Sequence, residues 1–319
     1  MKKCFICIYL LLASILTGCS GNTENQVKIG LDMATRDGFL TSLETAAVKA
    51  ASTEGIRLEV ANANNDQQAQ LAQIHEWAEN GYAAALVVLC EENAAAQVLE
   101  KAGNMPVVFV NRRPDDAVLQ SRANVIYIGC HEPTAGQMQG EYLSQHFQSA
   151  GLKSPRIAVI TGSTVNTAAL ERTQSAKDIM QESGLNPKYI YETDANWERA
   201  EAQKDFTAFL KTKPKIDAVL CANDEMAIGA ADALAQSGYA IADIPVVGVD
   251  ATAEGRAAIR DGRMDFTIYQ DPVAQGAGAI EVAMTLLGGN QPEDVQNSIR
   301  WIPYTPVTLE NIDQLFPND

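Results

Sequence analysis

Histidine is scarce in this chain, with three in 319 residues against 40 Asp and Glu. His75 and His146 fall in helical stretches, His131 follows an apolar run, and none has a motif partner. That disfavours a metal centre and imidazole-based catalysis. Basic residues are few as well: 24 Lys and Arg leave a formal net charge of −16. Nothing in that balance neutralises phosphates, so nucleic acid is excluded as a partner and the acidity reads as solubility. Thr161-Gly162-Ser163-Thr164 has neither phosphate-loop nor nucleophile-elbow spacing. An enzyme, a cofactor and a metal are therefore not expected. Of six cysteines, Cys4, Cys7 and Cys19 belong to the N-terminal segment. Cys90, Cys130 and Cys221 show no CxxC spacing and read as buried small hydrophobes. Beyond the N-terminus no apolar run is long enough to cross a bilayer.

The N-terminus has the layout of an export signal. Lys2 and Lys3 precede the apolar run Cys4 to Ala13, which is short for a membrane span. Leu16-Thr17-Gly18-Cys19 follows and resembles the bacterial lipobox. That resemblance implies cleavage before Cys19 and a diacylglycerol on its thiol, which would anchor the protein to a membrane. Residues 1–18 are then the signal peptide, and residues 19–26 the lipidated Cys and a polar tether. Cleavage leaves 301 residues and takes away two lysines but no acid, so the net charge moves to −18. That length exceeds one ordinary core and predicts two lobes.

The remaining pattern alternates short apolar runs with helical stretches closed by Gly. Strands are predicted at 27–31, 57–61, 84–89, 106–110, 125–129, 156–160, 188–192, 217–221, 245–249 and 265–269. Runs such as Ala85-Leu86-Val87-Val88-Leu89 are continuously apolar, as in parallel sheets covered on both faces. About ten strand–helix units are too many for one small doubly wound sheet. The fold class is therefore α/β, as two doubly wound parallel-sheet lobes.

In such sheets ligands bind beyond the carboxyl ends of the strands. The residues there are Arg36, Asp37 and Phe39; Asn111 and Arg112; the Thr161-Gly162-Ser163 turn leading to Arg172; Trp197; Asn223 and Asp224; Asp250; and Gln270. Planar amides, carboxylates and guanidinium groups each hold two hydroxyls, and aromatic rings cover weakly polar C–H faces. The set suits a sugar. Taken singly, Asp37 and Asp224 also read as helix caps, Asp250 as a turn residue, Trp197 as helix-start packing and Arg112 as a surface charge. For Asp224 and Glu225 the structural role is preferred.

Several segments go further: Pro106 to Arg112, Leu170-Glu171-Arg172, Ala222 to Ala230, Ile244 to Asp250 and Trp301-Ile302-Pro303-Tyr304. In order and spacing they resemble the ribose and glucose/galactose periplasmic binding proteins, over nearly all of the mature chain. Asp37 with Asn111 is similar to the glucose/galactose branch. The resemblance implies a type I periplasmic binding fold whose lobes are joined by three crossover segments. These fall near Gly129–His131, Asp250–Gln270 and Trp301–Pro303. The lobes are then 27–130 with 271–300, and 131–270 with 301–319. It also implies Asp37, Phe39, Asn111, Arg112, Arg172, Trp197, Asn223, Asp250 and Gln270 as the ligand-binding set, with a hexose-like monosaccharide as ligand. Four positions depart from that branch. Ala168 stands for a carboxylate, Asn166 for a histidine, Arg112 for a lysine and Gln270 for an asparagine. The branch's calcium ligands are absent near Gly151–Ser154, so no calcium is expected. The implied role is the monomeric, extracytoplasmic capture component of a sugar ABC importer, handing ligand to a permease. The alternative is a receptor subunit for a sensor kinase or chemoreceptor. A sugar-responsive repressor would need a DNA-binding head where this chain has its signal.

Overall fold

The computed structural model describes residues 26–319, so the export signal and Cys19 lie outside the described residues. The first half alternates as predicted. β1 (Lys28–Met33), α1 (Gly38–Thr53), β2 (Arg57–Asn62), α2 (Gln67–Glu79) and β3 (Ala84–Val87) come first. α3 (Ala95–Ala102), β4 (Val107–Val110), the single turn α4 (Asp116–Leu119) and β5 (Val125–Gly129) complete it. The second half runs α5 (Glu132–Ser149), β6 (Arg156–Thr161), α6 (Thr167–Glu182), β7 (Lys188–Asp194) and α7 (Arg199–Leu210). It continues through β8 (Ala218–Cys221), α8 (Asp224–Gln236), β9 (Val246–Val247), α9 (Ala253–Arg260) and β10 (Thr267–Gln270). The chain then passes α10 (Pro272–Leu287), β11 (Ile299–Trp301), β12 (Tyr304–Val307) and α11 (Ile312–Leu315).

Two parallel sheets result. The first has the order β11-β5-β4-β3-β1-β2 and the second β7-β6-β8-β9. In the first, α1 and α10 cover one face and α2 and α3 the other. In the second, α5 packs on α6 and α7 on α8. The central strands β3, β4 and β8 are wholly buried, which is why their sequences are apolar without alternation. Local signals set the helix starts. Asp66 caps α2 through Gln68 and Ala69, and Asp271 caps α10 ahead of Pro272.

Three segments join the lobes, and one is shorter than the sequence suggested. The Asp250 N–H donates to Ile268 O at 2.8 Å and α9 packs on α8. The whole Asp250–Gln270 span therefore stays with the second sheet, and the chain crosses only at 270–272. The third crossing carries two strands that the pattern did not show. β11 lies parallel to β5, with Trp301 opposite Gly129, so the first lobe extends one residue past 300. β12 pairs antiparallel with β10. Both are three or four residues long and show no usable alternation. An apolar cluster runs without a break through the crossings, from Ile126 and Ile128 by Cys130, Ile302 and Tyr304 to Ile157 and Val159. Cys130 and Cys221 are buried as expected, whereas Cys90 is only half-buried, because it sits on the loop after β3 at the edge of the cleft.

One buried group is at odds with its surroundings. Asp32, on β1, is fully buried; its Oδ1 accepts from Gln70 Nε2 at 3.4 Å and its Oδ2 has no partner. Burial pushes this carboxyl up to about 7, with the Gln70 hydrogen bond pulling the other way. The folded state thus holds a proton that the unfolded chain releases near its ordinary value of about 3.9. The stabilising protonated form is intact below that value and is lost as pH rises towards 7. Asp32→Asn should therefore be more stable than the parent at pH 8, by on the order of 2 kcal/mol, with the gain gone at pH 4. Urea unfolding at pH 4, 6 and 8 measures this.

Candidate functional site

The carboxyl ends of both sheets face one cleft. In each sheet the second strand goes to one side of the first and the third strand to the other, which opens a crevice at the reversal. All nine residues singled out from the sequence line the space between these crevices, with Leu40, Glu132, Asn166 and Ala168. Its empty space is ≈ 450 Å³ when the open mouth is counted, but the enclosed cavity is only ≈ 50 Å³, so the walls stand close together. A larger groove lies on the outside of the first lobe between α1 and α10, lined by Ala, Val, Ile and Met side chains together with Ser, Thr, Lys and Glu, but it is away from the carboxyl ends of the strands.

The first lobe supplies Asp37, Phe39, Asn111 and Arg112. Asp37 caps α1, its Oδ1 accepting from Leu40 N at 2.7 Å. Burial raises its pKa, while the Leu40 N–H and Arg112 oppose the shift. Arg112 is held by carbonyls, its Nη1 donating to Leu89 O at 2.8 Å and Cys90 O at 3.3 Å. Burial lowers its pKa and Asp37 works against that. Asn111 has a left-handed backbone, φ 65, a conformation Asn tolerates better than most residues. Its Nδ2 donates to Gln275 Oε1 at 3.3 Å.

The second lobe supplies the rest. Asn223 caps α8 through Met226 N at 2.9 Å, and its Nδ2 donates to Trp197 O at 3.3 Å. Trp197 has φ 68. Its indole lies where a side chain at residue 162 would sit, so Gly162 is required there. Asp224 and Glu225 take structural roles, as preferred. Asp224 accepts from Thr267 Oγ1 at 2.5 Å and Thr252 N at 2.8 Å, tying α8 to β10 and to the start of α9. Glu225 pairs with Arg199.

Arg172 is the hub, 4% exposed. Its Nε donates to Glu132 Oε2 at 2.5 Å, its Nη1 to Ala222 O at 2.8 Å, and its Nη2 to Gln270 Oε1 at 3.2 Å. Tyr304 completes the ring, donating to Glu132 Oε2 at 2.8 Å. Burial alone would lower the Arg172 pKa, but Glu132, Tyr304 and Asp250 raise it further, so the guanidinium stays charged. Gly136 makes this possible: any side chain there would collide with the carbonyl of Arg172, so α5 approaches α6 closely enough for Glu132 to reach. The Arg172 guanidinium carbon lies 5.8 Å from the centre of the Trp197 ring, within cation–π range.

Two groups in the cleft stand apart. Asp250 is 7% exposed, with φ 112. Among the described residues no donor hydrogen-bonds its carboxylate; the nearest cation is Arg172 Nη1 at 3.9 Å. Burial drives its pKa upward, with Arg172 opposing. Gln270, 1% exposed, leaves Nε2 without an acceptor. Glu132, Gln275 and Tyr304 were not singled out from the sequence as site residues. Glu132 before Pro133 reads there as an ordinary helix-start acid, and only the fold brings Tyr304 back to it.

This arrangement defines a class: a two-lobed α/β protein with a polar cleft between the carboxyl ends of two parallel sheets. Comparison places the chain within it. A family model described as a periplasmic binding protein domain matches residues 29–291. A Rhizobium meliloti relative, whose provisional name assigns it rhizopine binding, is 32% identical over 98% of each chain. A D-ribose/D-allose-binding protein of Pseudomonas aeruginosa is 28% identical, covering 94% of this chain and 97% of its own. A solute-binding protein of an ABC transporter from Bacillus halodurans, solved with myo-inositol, superposes with a TM-score of 0.81 at 28% identity. It covers 91% of this chain and 97% of that one. The chain belongs to the type I periplasmic sugar-binding protein family, an exported class of the ABC-transporter solute-binding type.

The hub gives a stability prediction. Glu132→Ala leaves a buried guanidinium without its main counter-charge and should cost about 3–5 kcal/mol. In Glu132→Ala/Arg172→Ala the second change should cost far less than it does alone. Urea unfolding of the four proteins in this cycle measures the coupling; additive losses would refute it.

Proposed function

We propose that the protein captures a hexose-sized, polyhydroxylated ring between its lobes for a sugar ABC importer. The observation that carries this is the pair of unmet groups in the cleft. A largely buried carboxylate with no protein donor needs one, and a buried amide N–H without an acceptor is costly. Vicinal hydroxyls, which donate and accept at once, answer both. Arg112, Arg172, Asn111 and Asn223 extend the polar rim, and Phe39 and Trp197 supply the apolar faces. Ribose and allose in one relative's name and myo-inositol in the Bacillus halodurans structure keep the class to ring polyols, with galactose and glucose among the candidates. Ligand contacts from both lobes favour the closed arrangement, which a permease would then recognise. Leu16-Thr17-Gly18-Cys19 supports a membrane anchor through lipid on Cys19, with the protein acting as a monomer at the outer face of the membrane.

Thermal unfolding against D-ribose, D-allose, D-galactose, D-glucose, myo-inositol and D-glucuronate tests the reading. A ligand at 100 times its dissociation constant adds about 2.7 kcal/mol. One strong hit, lost in Asp250→Asn and Trp197→Ala, is the expected result. A flat panel would remove the polyol from the proposal.

A further inference from the structure

We propose that the Glu92 carboxylate is a bar that holds the ligand cleft shut. Glu92 begins a 3-10 turn (Glu92–Ala94) after β3, in the first lobe. Its Oε2 accepts from the Thr167 N–H at 3.1 Å. Thr167 is the first residue of α6, in the second lobe. Away from the three crossing segments, this is the one hydrogen bond among the described residues that joins the lobes.

Its position and chemistry both suit closure. Glu92 borders the space beside Arg113 and Trp301 on one side of the site and the space beside Ser163 and Asn196 on the other. The bar therefore stands between two openings. The residues flanking Thr167 are Asn166 and Ala168, both of which line the ligand cleft, so the bond also fixes that wall. The first N–H groups of a helix lack intrahelical partners, and its N-terminus attracts negative charge. A carboxylate arriving from the facing lobe satisfies one of those donors only while the lobes are together. The contact is absent from any open state, so its whole contribution shifts the population towards closure. Glu92 does not line the ligand cleft, and it acts by holding the start of α6 to the first lobe.

The inference rests on the cleft being a ligand site, and its test separates the two. Thr167→Pro removes the donor without harm to the helix, because proline suits the first helical position and Asn166, at φ −103 and ψ 124, already has the backbone a following proline needs. Glu92→Ala removes the acceptor. Two quantities are measured on the purified protein: the radius of gyration by X-ray scattering, without sugar, and the release rate of whichever of D-ribose, D-allose or myo-inositol binds. Each variant should release the sugar about tenfold faster, the worth of one charged hydrogen bond. Association should not slow, and the double variant should release the sugar no faster than either single one. Wild-type release rates, or effects that multiply in the double variant, would overturn the bar. If none of the three sugars binds, the sugar reading is what suffers. The radius of gyration then decides alone: larger in both variants upholds the bar, and unchanged overturns it.

Discussion

A buried guanidinium organises this molecule. Arg172 sits where α5, α6, α8 and β10 converge, and each of its nitrogens is spent on a different element. A charge removed from water is costly unless it is paired and fully hydrogen-bonded. Here Glu132, the Ala222 carbonyl, Gln270 and Tyr304 meet that demand together. The geometry leaves no slack. Glu132 must follow the first crossing at once, Gln270 must end β10 at the second, and Tyr304 must open β12 just after the third. The one cation therefore registers all three connections against one another, and Asp250 is left beside it without a hydrogen-bond donor.

The rest of the site follows from the sheets. Parallel strands bring their carboxyl ends to one edge, and two such edges face each other across the crossings. Backbone in the left-handed region at Asn111, Trp197 and Asp250 turns these residues into the cleft instead of along the next helix. Such conformations are costly for side-chain-bearing residues. They are retained here at the positions where a polar or aromatic group is aimed at the space between the lobes. Asp37 and Asn223 do double duty, capping a helix with one oxygen while lining that same space.

Much of this was legible in the residues. Continuous apolar runs separated by helical periodicity gave two parallel sheets; the rule that ligands lie beyond strand ends, narrowed by the family resemblance, picked out nine of the positions that line the cleft. What could not be read was local in space but distant in sequence. Glu132 and Tyr304 are 172 positions apart, yet the Tyr304 hydroxyl donates a hydrogen bond to the Glu132 carboxylate. Neither carries a motif. β11 and β12 were missed for a related reason: strands of three or four residues are defined by their neighbours, not by their own pattern. The crossing expected across Asp250–Gln270 shrank to 270–272 because α9 found a surface on α8, a packing choice that periodicity does not encode. Cys90 kept partial exposure because the strand before it stops at Val87.

By itself, the order of residues determined ten of the strands and the helices between them, where those helices start and which side chains stand at strand ends. Each of those depends on neighbours within a few positions: caps, turn glycines and the period of apolar residues. Tertiary structure alone decided which carboxylate neutralises Arg172, which polar atoms in the cleft are left unmet, and that Glu92 reaches the far lobe. Those outcomes depend on burial and on distances between remote elements. A carboxylate's role is set by what surrounds it once water has been excluded, and no local pattern contains that information.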